Sequence, residues 1–145
     1  MLLEDEQATE RLGRMIANRL RQGDVVALYG DLGAGKTTLA RGILRGLGLN
    51  GDAPSPTFAI VQPYDDLQVP VWHIDLYRIE DPSELAQLGL EEAKAEAALL
   101  IEWPEQLGRD LWPDALRLTL GRDGKGGRFL TARVPPAWEA RWPPR

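Results

Sequence analysis

The sequence predicts an α/β domain with a central parallel sheet, antiparallel strands at its edges and helices on both faces. Three observations predict it. The apolar, β-branched run Val25-Val26-Ala27-Leu28-Tyr29 passes through a glycine-rich turn into a helical stretch at residues 38–44, which makes a strand–loop–helix unit. Ala97-Ala98-Leu99-Leu100-Ile101 is short and wholly apolar, as a strand covered on both faces of a parallel sheet must be. Two alternating runs, residues 116–120 and 129–134, flank a glycine-rich segment at 121–127; they read as a hairpin of antiparallel strands.

In chain order, Leu2-Leu3 opens a short first strand. Asp5 or Thr9 then caps a helix that carries Ala8, Leu12, Met15, Ile16 and Leu20 on one face. Gln22-Gly23-Asp24 ends that helix and turns into the strand at 25–29. The next helix stops at Gly46-Leu47-Gly48, and residues 50–54 are a loop by composition. Ala59-Ile60-Val61 and residues 69–75 form a hairpin about Asp65-Asp66, with Pro70 suited to a strand start or an edge. Asp81-Pro82-Ser83-Glu84 starts a helix bearing Leu85 and Leu88, with Asp81 as its N-cap. Residues 91–96 are helical by propensity. The proline-rich tail, 135–145, is expected to be extended or disordered, its Trp138 and Trp142 either packing back or exposed. Residues 1–134 are thus read as one domain.

Composition narrows the chemistry. A chain of 145 residues with 43% hydrophobic content suffices for one core. It has no cysteine, which excludes disulfides, thiolate metal sites and cysteine nucleophiles. The start Met1-Leu2-Leu3-Glu4-Asp5-Glu6 has neither a basic nor an apolar leader segment, and no run approaches transmembrane length. A cytoplasmic protein is expected. Residues 109–145 hold 8 Lys/Arg against 4 Asp/Glu, whereas residues 1–108 hold 9 against 18. That split marks either a contact face for RNA or an acidic protein, or simply a solvated strand and tail.

The turn at the centre of the chain reads Gly30-Asp31-Leu32-Gly33-Ala34-Gly35-Lys36-Thr37-Thr38. It matches G-x-x-x-x-G-K-[ST] at every fixed position, between a strand and a helix. Gly30, Gly33 and Gly35 let the backbone curl so that successive N–H groups point inward at an anion. The helix that follows aims its dipole and free N–H groups at the same point. Lys36 adds a cation for the outer phosphates, and the Thr37 hydroxyl is a ligand for Mg²⁺. The chemistry points to a P-loop nucleotide-binding domain.

Such a loop needs an acid at the end of a neighbouring apolar strand. Asp75 and Glu102 each end one, and both can converge on Thr37, since sites in open sheets lie at the carboxyl ends of strands. Which acid meets metal and which orients water stays open. His73, the only histidine, shares a strand face with Asp75; it either assists Asp75 or is a packed, hydrogen-bonded core residue. Thr57, in a loop stiffened by Pro54 and Pro56, is either part of a switch over the γ-phosphate or an ordinary strand start. Trp103 either lies against the nucleotide or seals the sheet edge.

The enzyme class narrows too. No Asn-Lys-x-Asp guanine reader is present, and the D-x-x-G match at Asp123-Gly124-Lys125-Gly126 falls in a hairpin loop late in the chain. A metabolite kinase needs a substrate insertion and an arginine-bearing lid; little length is spare for either, although Arg78 and Arg128 can reach phosphate. ATP hydrolysis used as a switch fits best, with phosphoryl transfer to a metabolite, or binding without turnover, as alternatives.

Beyond the loop, Asp5-Glu6-Gln7-Ala8-Thr9, Ser55-Pro56-Thr57-Phe58, His73-Ile74-Asp75-Leu76-Tyr77-Arg78 and Ile101-Glu102-Trp103-Pro104-Glu105 occur around it in fixed order. Together these segments resemble the bacterial TsaE (YjeE) family, over residues 5–134. The resemblance implies a slow ATPase needed to form the threonylcarbamoyl group on adenosine 37 of tRNAs reading codons that start with adenine. It would act with TsaB and TsaD and serve tRNA indirectly, without DNA or membrane. A direct tRNA contact through the basic C-terminal part is a separate hypothesis.

By the same resemblance, ATP and Mg²⁺ are the cofactors. Lys36, Asp75 and Glu102 would be catalytic, and Thr37 and Glu102 would hold the metal. The nucleotide would meet Glu6, Gly30, Asp31, Leu32, Gly33, Ala34, Gly35, Lys36, Thr37, Thr38, Thr57, Trp103 and Arg128. Glu6 and Arg128 lie in segments that match loosely.

Overall fold

The computed structural model describes residues 1–31, 33–51, 61–81 and 83–144. Among them, one sheet holds β1 (Leu2–Leu3), β2 (Val25–Tyr29), β3 (Val61–Tyr64), β4 (Val71–Asp75), β5 (Ala98–Glu102), β6 (Leu116–Arg122) and β7 (Arg128–Arg133). Their spatial order is β1-β7-β6-β2-β5-β4-β3. The middle four, β6, β2, β5 and β4, are parallel; β1, β7 and β3 join antiparallel at the edges. Pro63 lies in the edge strand β3, where its missing N–H costs least.

The two faces follow from strand alternation. Val26, Leu28, Leu100 and Leu118 point to one side and meet Leu12 and Ile16 of α1 (Glu6–Ala17) and Leu39 and Ile43 of α2 (Lys36–Gly46). Val25, Ala27, Leu99 and Ile101 point to the other, where they meet Leu90 and Ala93 of α4 (Leu90–Lys94) and Leu107 of the 3₁₀ segment Pro104–Asp110. Leu85 of α3 (Ser83–Gln87) and Leu88 just beyond it are half-buried against that second face. The expected α/β architecture, with helices on both faces, is the one observed. Among the described residues no helix is long and apolar enough to cross a membrane.

Glycines set how closely α1 and α2 cross. A Cβ on Gly13 would stand 2.6 Å from the Leu39 carbonyl oxygen and 2.7 Å from the Ile43 nitrogen. One on Gly42 would collide with the Glu10 carbonyl oxygen, and one on Gly46 would stand 2.6 Å from the Ala17 Cβ. The helices therefore touch backbone to backbone, and α2 carries Lys36 and Thr37 at its N-terminus.

Several expectations are corrected. Asp5, not Thr9, caps α1: its Oδ1 accepts from the Ala8 N–H at 2.7 Å, while Thr9 is buried inside the helix. Met15 is 37% exposed because contact through Gly13 swings the buried arc toward that residue; Met15 lies about 160° away, at the rim. Leu20 is buried but lies past the helix end. The hairpin loop is shorter than residues 121–127, since β6 runs through Arg122 and pairs it with Arg128. The strand expected from residue 69 starts at Val71.

The tail is not extended. Residues 136–138 form a 3₁₀ turn, Trp138 is fully buried, and the Arg141 guanidinium stacks 3.9 Å from its ring centroid. Arg141 also donates to Asp24 Oδ2 (2.6 Å) and Oδ1 (3.0 Å), which pins the tail at the start of β2. Proline content limits helix and sheet, but it does not prevent two aromatics from finding apolar surface. Leu32, Pro82, Arg145 and residues 52–60, with Thr57 and the whole of its Ser-Pro-Thr-Phe segment, lie outside the described residues.

Candidate functional site

The turn between β2 and α2 is built by backbone that side chains rarely permit. Gly30, Gly33 and Gly35 have φ of 139°, 77° and 104°, in the region where glycine alone is at ease. Gly30 is further fixed by crowding, because a Cβ there would stand 2.5 Å from the Leu120 carbonyl oxygen. Gly35 stands at the N-cap of α2, and no side chain caps that end among the described residues. The first N–H groups of the helix thus remain directed into the turn, with the helix dipole behind them.

Lys36 is 5% exposed. Its Nζ donates to the Gly30 carbonyl oxygen at 2.5 Å and sits 3.3 Å from the ring centroid of Trp103. Burial pushes the ammonium pKa below its ordinary value; Glu102, Glu105, Asp75 and Asp31 pull it back up. Trp103 reaches this place through a left-handed backbone, φ 58°, unusual for a bulky residue and a strain of roughly 1–3 kcal/mol. Tyr77 flanks the indole at a centroid distance of 4.8 Å. Trp103 thus stands beside the loop, against Lys36.

The acids arrive by register. β4 and β5 run parallel with Asp75 opposite Glu102, so both carboxylates emerge at the same sheet end as the loop. Glu102 is 3% exposed; its Oε1 accepts from the Thr37 hydroxyl at 3.3 Å, and its Oε2 lies 2.7 Å from His73 Nε2. Asp75 Oδ1 accepts from the Tyr77 N–H at 3.0 Å. Burial holds the Asp75 carboxyl above the ordinary range, against the pull of that N–H bond, and the nearby Glu102 charge adds to the upward push.

The β6–β7 hairpin covers the loop from the opposite side. Arg128 Nη2 and Arg122 Nη2 both approach the Gly33 carbonyl oxygen, at 3.1 and 3.5 Å. Arg128 had been expected from the sequence. Arg122 had not, because it was read as a loop residue; cross-strand pairing brings it in. Glu6 is an exposed residue in the first turn of α1, and Arg78 is exposed beyond β4. Neither makes a hydrogen bond or ion pair to the loop among the described residues.

The donor set suits a phosphate-borne Mg²⁺. Among the described residues no group of three or more His, Cys, Asp or Glu could hold a metal unaided. Mg²⁺ needs only one or two protein oxygens when phosphates supply the rest, and Thr37 with Glu102 offers hard oxygens beside an anion cradle. The residues fit a nucleotide that brings its own metal.

Comparison with known proteins places this arrangement. The model of the family described as "Threonylcarbamoyl adenosine biosynthesis protein TsaE" matches residues 3–130. The TsaE protein of Bacillus subtilis is 38% identical over 126 residues, covering 86% of this chain and 78% of that protein. The TsaE protein of Streptomyces coelicolor is 42% identical over 140 residues, covering 85% of this chain and 95% of that one. The crystal structure of Bacillus subtilis YdiB superposes with a TM-score of 0.82 at 30% identity, covering 97% of this chain and 88% of that one. A loop of this geometry, two strand-end acids and a family match over nearly the whole domain lead to one conclusion: the chain belongs to the TsaE family.

Proposed function

We propose that this chain binds ATP with Mg²⁺ and hydrolyses it slowly in the cytoplasm, as the ATPase subunit that acts with TsaB and TsaD. Its pathway is the one its family is named for, formation of threonylcarbamoyladenosine in tRNA. The observation that carries the reading is the Thr37–Glu102 hydrogen bond, which joins the loop helix to a strand-end acid 65 residues further along the chain.

The roles follow from placement. Backbone N–H groups of residues 33–38 would cradle the phosphates, and Lys36 would supply a cation for the outer ones. When bound, Mg²⁺ would neutralise charge on the phosphate oxygens. Thr37 and Glu102 would hold it: Glu102 takes the Thr37 hydroxyl proton into its hydrogen bond and leaves the oxygen lone pairs free for the metal. Asp75 is better suited to orient water, because burial already raises its basicity. Arg122 and Arg128 face each other across the hairpin, a like-charge pair that costs free energy unless an anion lies near. Trp103, flanked by the tilted ring of Tyr77, would shield the phosphates from water.

The experiment is a pull-down with TsaB and TsaD, with and without ATP, followed by phosphate release from the mixture. Release that rises on mixing and disappears with Glu102→Gln is expected. γ-Phosphate label on a small molecule would favour a metabolite kinase instead, and full pathway activity in a variant unable to hydrolyse ATP would favour a binding role.

A further inference from the structure

We infer that His73 is a positioning residue for Glu102, and that it sets how strongly Mg²⁺ strengthens nucleotide binding; this rests on the metal role proposed for Glu102. The geometry is specific. His73 sits in β4 opposite Leu100 of β5, so Glu102 lies two residues further along the neighbouring strand and on the same face. His73 is 1% exposed, and its Nε2 stands 2.7 Å from Glu102 Oε2. The other carboxylate oxygen is held by Thr37. Each oxygen therefore has its own partner, and the carboxylate plane is fixed.

A histidine placed only for packing would bond to any nearby acceptor. Here Nε2 goes to the acid that reaches Thr37, although Asp75 lies on its own strand two residues on. Nδ1 has no hydrogen-bond partner among the described residues. Among the described residues the bond to Glu102 is thus the ring's one hydrogen bond. Without that N–H, a glutamate buried to 3% exposure would leave Oε2 unpaired and the carboxylate free to rotate away from Thr37. Outer-shell partners of a metal site typically change metal affinity by about 10–100-fold when removed.

The test is the ratio of ADP dissociation constants in EDTA and in Mg²⁺, measured by calorimetry on the full chain as wild type, His73→Leu, His73→Gln and Glu102→Gln. Leucine keeps bulk without a donor; glutamine places an N–H near the Nε2 position. His73→Leu should lower the ratio about tenfold or more with the EDTA constant little changed, and His73→Gln should restore it. Equal losses with and without Mg²⁺, or no restoration by glutamine, would overturn the inference. Should the leucine variant fail to fold, a glutamine variant that folds but has lost the ratio overturns it, and one that keeps it supports it. If Glu102→Gln lowers the ratio and His73→Leu does not, the positioning role alone fails. If Glu102→Gln leaves the ratio intact, the metal role of Glu102 fails first.

Discussion

Replacing Gly13 by alanine should destabilise the chain, even though alanine is the better helix former. The new Cβ would stand 2.6 Å from the Leu39 carbonyl oxygen, while ordinary contact begins at 3.4 Å, so the helices must part by about 0.8 Å. The obstructing atoms are backbone and cannot rotate aside. Overpacking of this kind costs about 1–3 kcal/mol, and the upper end applies to rigid obstacles. The helix-propensity gain returns about 1 kcal/mol. The net is about 1–2 kcal/mol, or a fall of roughly 2–8 °C in Tm for a domain of this size. The same shift would move α2 and with it Lys36 and Thr37, so nucleotide affinity should fall as well. Urea denaturation and a nucleotide titration on the same preparation measure both. Gly121→Ala is the control: a Cβ there has nothing within 4 Å, so it should be neutral or slightly stabilising. A Gly13→Ala protein as stable as wild type would refute the backbone-to-backbone crossing.

Other outcomes follow from the tail and the acids. Trp138→Ala should cost about 3–5 kcal/mol in urea denaturation, since the side chain is fully buried; Arg141→Ala should cost about 3 kcal/mol by leaving Asp24 without its guanidinium. A chain ending at residue 134 with wild-type stability would contradict both. Asp75→Asn should raise Tm at neutral pH while abolishing phosphate release. Because the folded state holds the Asp75 proton more tightly than the unfolded chain, stability drops as pH rises from the ordinary carboxylate value through the raised one and stays lower above it. The asparagine chain escapes that loss, so the Tm advantage should vanish below about pH 4, where both states of the wild type are protonated. An advantage independent of pH would show that burial of the charge is not its cause.

What could be read before the fold was known depended on distance along the chain. The phosphate loop holds its chemistry in nine consecutive residues, and glycine, lysine and threonine have few other reasons to stand in that order. The central strands were legible because complete burial leaves a wholly apolar run. The partner of His73 was not, because strand-face logic ties it to Asp75 while the bond is made across register to Glu102. Arg122 was missed for a related reason: glycines made its segment read as loop, and only pairing with Arg128 shows it at the site. Gly13, Gly42 and Gly46 lie apart in sequence, and their shared meaning, a close helix crossing, exists only in three dimensions. Proline content made the tail read as extended or disordered, while its tryptophans stayed open between packed and exposed; they pack.

Nucleotide binding rests on the anion cradle of Gly30 to Thr38 with its lysine. Calorimetric titration of ATP with Mg²⁺ into wild type and Lys36→Ala tests it most directly. One nucleotide per chain on the wild type, with no detectable binding by the folded Lys36→Ala protein at the same concentrations, is the predicted result. Equal affinity in the two proteins, or no binding by the wild type, would contradict it.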